Sequence, residues 1–268
     1  MRKKAGDTVL KYVDVHSHIL HHMDDGPEHL ETALRILEEE YRQNVETVIV
    51  TPHFKDYERT SIDRFLDRRA RRVAEIKEAA KNQGIQIPEI RMGAEVFLSC
   101  DLSEVEGIEK LAIEGTRYIL VEMPYTAWND WMFDSLYALM AQTNLIPVIA
   151  HIERYGNVDR KKIEKLSNMD VYFQINADSL LERGYKQVAL KMIRQNLIQF
   201  MGSDVHNLAS RPSRLEEGYR ILTKKISGEF AHYINVNGHL LLDDHYVEKY
   251  SGSYHKMAPK RLFSRLFG

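Results

Sequence analysis

Cysteine is nearly absent: Cys100 is the only one in 268 residues. No intrachain disulfide can form, which fits a reducing compartment. A thiol phosphatase loop cannot form either. That chemistry needs an arginine six positions beyond the cysteine, and position 106 holds Glu106. Net charge is small, with 37 basic against 39 acidic side chains. This removes the electrostatic case for a nucleic-acid partner and weakens a nuclease reading. No apolar run approaches the ~20 residues of a membrane-spanning helix. The first residues are charged with no apolar stretch behind them, so no signal peptide is expected. Gly-x-x-x-x-Gly-Lys phosphate loops and Gly-x-Ser-x-Gly elbows are missing. Asp178-Ser179 and Ser203-Asp204 do not make a nucleophile with its base.

What remains is a chain with 44% apolar residues, enough for a large core. Short β-branched runs alternate with helical patterns seven times, without a linker, a repeat or a low-complexity segment. Strands are expected near 11–15, 45–50, 89–95, 117–121, 145–150, 171–175 and 197–203. Helices are expected from Pro27, over 60–82 with Gly84 as its stop, and over 130–143, 160–168, 185–196, 211–226 and 229–236. In the first helix Leu30, Ala33, Leu34, Leu37 and Tyr41 share an apolar face. Arg68, Arg69, Arg71 and Arg72 read as a solvated face with acids nearby. The β-then-α order implies a mainly parallel sheet, and strands lacking two-residue alternation imply burial on both faces. An open sheet and a closed barrel both fit. The barrel is preferred because polar residues gather at one place, the C-terminal strand ends, which a barrel brings into a ring.

Those residues are His16, His18, Asp25, His53, Glu95, Glu122, His151, Asp204 and His206. In an extended segment His16 and His18 point the same way and can reach one ion. Taken singly, Glu122 would be a turn cap or ion-pair partner and His53 a surface loop residue. Five imidazoles and four carboxylates recurring at nearly every strand end favour a joint role. The set suits Zn, Mn, Fe, Co or Mg, and nine donors exceed what one zinc needs. Two or three ions sharing a carboxylate is the natural count. Arg154 and Arg211 follow two of these strand ends. A guanidinium fork matches phosphate oxygens, so an oxyanion substrate is expected, although each arginine alone would equally make a salt bridge.

The segments DVHSHILHHMDDGP, VTPHF, GAEVF, ILVEMP, VIAHIERY and MGSDVHNLASRP resemble, in order, the PHP (polymerase and histidinol phosphatase) superfamily. They look most like its bacterial protein-tyrosine phosphatases, which accompany the tyrosine kinases of capsule and exopolysaccharide synthesis. The resemblance implies a single-domain, distorted (β/α)7 TIM-like barrel with a trinuclear centre, manganese favoured. It implies His16, His18, Glu95 and Asp204 around one ion, Glu95 bridging to a second held with His53 and His151, and Asp25, Glu122 and His206 around a third. Arg154 and Arg211 match the family's phosphate-binding arginines and, with Asp204 and His206, form the expected catalytic set. Hydroxide held by the ions would attack the phosphoryl group. The implied substrate is a phosphotyrosine protein, a bacterial tyrosine kinase, in the cytoplasm or at the inner face of the membrane. The departures from the family's pattern are the longer lead-in and the region 123–135. Two rivals use the same ring: a small-molecule phosphatase of histidinol-phosphate type, and a non-catalytic metal-binding scaffold.

The expected organisation is a lead-in over 1–10, the barrel over 11–248, and a basic tail over 249–268. In the tail Leu262, Phe263, Leu266 and Phe267 fall on one helical face. Contact with a membrane surface or partner, and packing on the barrel, are equally open readings.

Overall fold

The computed structural model describes residues 11–156 and 158–252. The lead-in over 1–10 and the apolar face expected in the tail lie outside the described residues. The first strand, β1 (Tyr12–Ser17), pairs in parallel with β2 (Val45–Val50), and β2 with β4 (Glu89–Met92). A second parallel row runs β3 (His53–Phe54), β5 (Glu95–Phe97), β6 (Tyr118–Glu122), β7 (Ile146–Ile149), β8 (Tyr172–Asn176) and β9 (Phe200–Gly202). The two rows share two chain paths. β2 resumes as β3 after Thr51-Pro52, where proline has no N–H to give the ladder. β4 resumes as β5 after Gly93-Ala94. Gly93 N donates to Val50 O (2.9 Å) and Glu95 N to Pro52 O (3.2 Å) across these breaks. The ring closes where β9 returns to β1. Asp204 N donates to His16 O (2.8 Å), and His18 N to Val205 O (2.9 Å). The result is the expected distorted (β/α)7 barrel.

Strand side chains divide into two packed sets. Val13, Val15, Ile49, Tyr118, Leu120, Val148, Tyr172 and Phe200 form the inner one. Val48, Val50, Ile119, Val121, Ile149, Phe173 and Ile175 face the helices. An unbroken two-residue alternation from Val13 and Val15 would send His16 and His18 outward. The register of β1 against β2 shifts between Asp14 and Ser17, and both histidines turn inward.

The helices are α1 (Leu30–Arg42), α2 (Arg59–Gln83), α3 (Asp130–Thr143), α4 (Arg160–Ser167), α5 (Arg183–Arg194), α6 (Leu215–Lys225) and α7 (Gly228–Leu242). Gly84 ends α2 with φ +66°, as expected. Three expectations need correction. The first helix begins at Leu30 and not at Pro27, because 20–27 form turns held by His22 N to Pro27 O. On α1 the buried face is Ala33, Leu34, Ile36, Leu37 and Glu40, while Tyr41 is exposed. Arg69 is not on a solvated face. It is buried and donates to Gly93 O at the β4–β5 break. At the other end, Tyr250 packs on Phe230 and Tyr233 of α7. No helix among the described residues is long and apolar enough to cross a membrane.

Candidate metal centre

All nine expected ligands lie at the C-terminal ends of the strands, in one pocket. Glu95 stands at its middle, fully buried on β5. Its Oε2 is 3.4 Å from His16 Nε2, 3.1 Å from His18 Nε2 and 3.0 Å from His53 Nδ1. Its Oε1 is 2.9 Å from His151 Nε2. Four imidazoles thus meet one carboxylate. Asp204 faces the other side of the β1 histidines, with Oδ1 3.6 Å from His16 Nε2 and 3.5 Å from His18 Nε2. His206 Nε2 is 3.1 Å from Asp25 Oδ1, and His53 Nε2 is 3.5 Å from the same oxygen.

Three sets of donor atoms lie within 4.8 Å of one another: His18, Asp25, His53 and His206; His16, His18 and Glu95; and His53, Glu95 and Glu122. Glu122 therefore sits with Glu95 and His53, and not with Asp25 and His206 as the resemblance implied. The reason is register. Glu122 pairs with Phe97, which puts it beside β5 and its Glu95.

The donor chemistry fits divalent cations. His53 Nδ1, His206 Nε2, His151 Nδ1, Glu95 Oε2 and Glu122 Oε2 are buried without a hydrogen-bond partner. Lone pairs in that condition are costly unless a cation takes them up. Burial pushes the Glu95 carboxyl up, yet the charge on His16 and the hydrogen bond with His151 hold it well below the usual carboxylate range. Asp204 is likewise lowered against its burial, by His16, His18 and Arg154. Burial and the neighbouring His18 bring His206 down to about 4, so its imidazole is neutral at pH 7. Burial, then the charge on Glu95, raises Glu122.

Backbone geometry also serves the pocket. His151 (φ +32°) and Asp204 (φ +53°) occupy the left-handed region. Non-glycine residues there cost about 1–3 kcal/mol each and cluster at functional sites. Gly26 is required because a Cβ would lie 2.2 Å from His18 O. It lets the loop carrying Asp25 fold back onto β1.

The orienting residues are absent from the sequence expectation. Asp24 Oδ2 accepts from His18 Nδ1 (2.7 Å) and from the His53 backbone N–H (2.9 Å). Burial would raise the Asp24 carboxyl, but its bond to His18 holds it low. Gln174 Oε1 lies 3.2 Å from His16 Nδ1 and accepts from His151 N at 2.7 Å. Bound this way, both β1 histidines turn Nε2 to the pocket. The pair Asp24-Asp25 was the available signal for the first. Gln174 has none, lying inside an apolar strand.

Both arginines reach the centre. Arg154 Nη1 is 2.9 Å from Asp204 Oδ2, and Arg211 Nη2 is 3.0 Å from both Asp204 oxygens. Arg211 Nη1 also lies 3.5 Å from Asp25 Oδ2. Arg154 faces the Tyr125 phenol. The Tyr125 ring is 57% exposed and lies nearly parallel to His151, centroids 6.1 Å apart. The unaligned segment 123–135 thus supplies an aromatic wall at the pocket mouth.

A family model described as capsular polysaccharide synthesis, CpsB/CapC, matches residues 12–242. The chain is 31% identical over 236 residues to the tyrosine-protein phosphatase CpsB of Streptococcus pneumoniae, covering 82% of this chain and 93% of that one. It is 30% identical over 247 residues to a putative tyrosine-protein phosphatase CapC of Staphylococcus aureus, covering 88% and 93%. Among solved structures it superposes with TM-score 0.75, at 24% identity, covering 90% of this chain and 98% of the other. That match comes from work on YwqE of Bacillus subtilis and CpsB of Streptococcus pneumoniae, described as metal-dependent tyrosine phosphatases. A variant of an organophosphorus hydrolase shares the fold at TM-score 0.51 and 11% identity, covering 87% and 92%.

Proposed function

The chain belongs to the capsular polysaccharide synthesis CpsB/CapC family, and from that premise we propose that it is a metal-dependent protein-tyrosine phosphatase. The observation that carries the reading is the meeting of four imidazoles on Glu95 beside two guanidinium groups held by Asp204. His16, His18, Glu95 and Asp204 would hold one cation. Glu95, His53, His151 and Glu122 would hold a second, and Asp25 and His206 would contribute to a third. The imidazole and carboxylate set suits several divalent ions, and manganese is the one the family resemblance favours. Such ions, when bound, acidify water and offset charge on phosphoryl oxygens.

The chain's own groups supply the rest. Arg154 and Arg211 present forked donors next to the cation ligands, where they can grip phosphate oxygens and meet charge that builds up during transfer. Asp204 holds both guanidinium groups at that edge. His206, neutral at pH 7, offers a lone pair and not a proton. A strong acid is not needed, because tyrosinate has a conjugate-acid pKa near ~10 and leaves readily. The exposed Tyr125 ring gives the phenyl group of a phosphotyrosine a face to lie on. The natural substrate in this reading is a phosphotyrosine protein of capsule synthesis, a tyrosine kinase among them, acting in the cytoplasm.

The test compares a phosphotyrosine peptide with histidinol phosphate under added Mn(II). Peptide turnover should exceed histidinol phosphate turnover by tenfold or more. Asp204→Ala should abolish both. Arg154→Ala should cut kcat/KM by about 10- to 100-fold, the worth of a charge-assisted hydrogen bond in the transition state. Preference for histidinol phosphate would move the function to the small-molecule class. Mn(II) binding without any turnover would make the protein a scaffold.

A further inference from the structure

A trough of about 530 Å³ opens beside the metal centre, sharing Asp24, Asp25 and His53 with it. Met23, Phe54 and Phe65 line its apolar part. Lys55, Arg64 and Arg68 stand around it, all exposed. Among the described residues none of these three cations makes a salt bridge. Arg68 donates to the His22 carbonyl (2.6 Å) and keeps its charge unpaired.

The acids that share the lining are otherwise engaged. Asp24 is bound to His18 and to the His53 backbone. Asp25 faces His206, His53 and Arg211. Asp56 is folded back onto its own loop, accepting from Ser61 Oγ (2.6 Å) and Glu58 N (3.4 Å), with the Arg64 charge nearby but no ion pair between them. Three exposed cations therefore stand along a trough that leads directly to the expected ligands Asp25 and His53, Lys55 lying also over the Phe97 ring (5.8 Å).

Resting on the phosphatase reading, we propose that this trough seats the polypeptide flanking the phosphotyrosine and that Lys55, Arg64 and Arg68 select acidic side chains in that flank. A phosphotyrosyl group entering the centre leaves its main chain at the pocket mouth. Met23, half-buried over the buried Phe54 and Phe65, offers that chain apolar contact, and the cations meet Asp or Glu side chains on it. Exposed ion pairs are individually weak, so the selection rests on several of them together and is sensitive to salt. It acts on which peptide binds, not on the phosphoryl transfer.

The experiment uses the full chain loaded with Mn(II). Its probes are phosphotyrosine peptides with acidic, neutral or basic flanks, and p-nitrophenyl phosphate, which has no flank. Wild type should prefer the acidic over the neutral peptide by about three- to tenfold in kcat/KM, from two or three weak pairs. The preference should shrink between 50 and 500 mM salt. Arg64→Glu with Arg68→Glu should abolish or invert it while p-nitrophenyl phosphate turnover stays within twofold. Arg64→Glu alone leaves the Arg68 bond to His22 intact and should remove part of the preference, so a folding defect in the double variant would not hide the effect. A wild type active on all peptides but blind to their flanks would overturn the trough proposal and leave the phosphatase reading standing. Equal loss on p-nitrophenyl phosphate would also overturn it. Inertness toward every phosphotyrosine peptide would strike the phosphatase reading, and this proposal with it.

Discussion

Asp24 shows what a single side chain contributes without touching a cation itself. It fixes which nitrogen of His18 faces the pocket and pins the start of β3 through His53 N–H. Outer partners of this kind are worth about 10- to 100-fold in metal affinity. Asp24→Asn should therefore weaken Mn(II) binding by that range, measured by calorimetry, with little change in melting temperature of the metal-free chain. Unchanged affinity would mean that His18 needs no help. Protons compete for the same nitrogens. Burial lowers His16 and His18, but Glu95, Asp204 and Asp24 outweigh it and raise both, His18 strongly. A raised histidine holds its proton to higher pH, so cation binding must expel it. Mn(II) affinity should fall on acidification from pH 8 to 6, with proton release visible as a dependence of the binding enthalpy on buffer ionisation. At this scale the nine candidate donors were legible because their types repeat at strand ends. Asp24 and Gln174 were not, because orienting a ring leaves no spacing pattern in the chain.

The strand ends make the pocket, and here sequence and structure part in instructive ways. Two-residue alternation correctly pairs His16 with His18, but only the register shift in β1 explains why they face inward beside Val13 and Val15. Pro27 suggested a helix start, yet the turn that carries Asp25 runs through it to His29, and α1 begins at Leu30. Glu40 on α1 was counted in no face and proves fully buried. Neither of its oxygens makes a well-formed hydrogen bond, Ser213 offering only a weak approach. Burial, then the nearby charge on Asp14, raises its carboxyl well above the usual range. An acid raised in the folded state holds a proton that the unfolded chain releases, so its cost grows as pH rises from the unfolded value toward the folded one. Glu40→Met, of similar volume, should therefore stabilise the chain, by more at pH 8 than at pH 5. Urea denaturation at the two pH values reads the difference. Equal gain at both would show that Glu40 does not titrate differently on folding.

For the molecule as a whole, closure is the device that turns scattered residues into one centre. β9 reaches β1 closely enough that a Cβ on Gly202 would meet His16 Cβ at 2.6 Å. Asp204 and His206 enter the pocket only through that junction. The barrel order was legible from seven alternating units, since parallel strands with buried faces leave few other arrangements. The place of Glu122 was not, because it depends on the β5–β6 register that sets it beside Phe97.

The most direct test is an Mn(II) titration of the metal-stripped chain, following phosphate release from a phosphotyrosine peptide in wild type and in Glu95→Gln. Wild type should be silent without metal and reach full activity only after more than one equivalent. Glu95→Gln should stay silent throughout. Release that persists in excess chelator, or a Glu95→Gln chain that titrates like wild type, would contradict a catalytic centre assembled around that carboxylate.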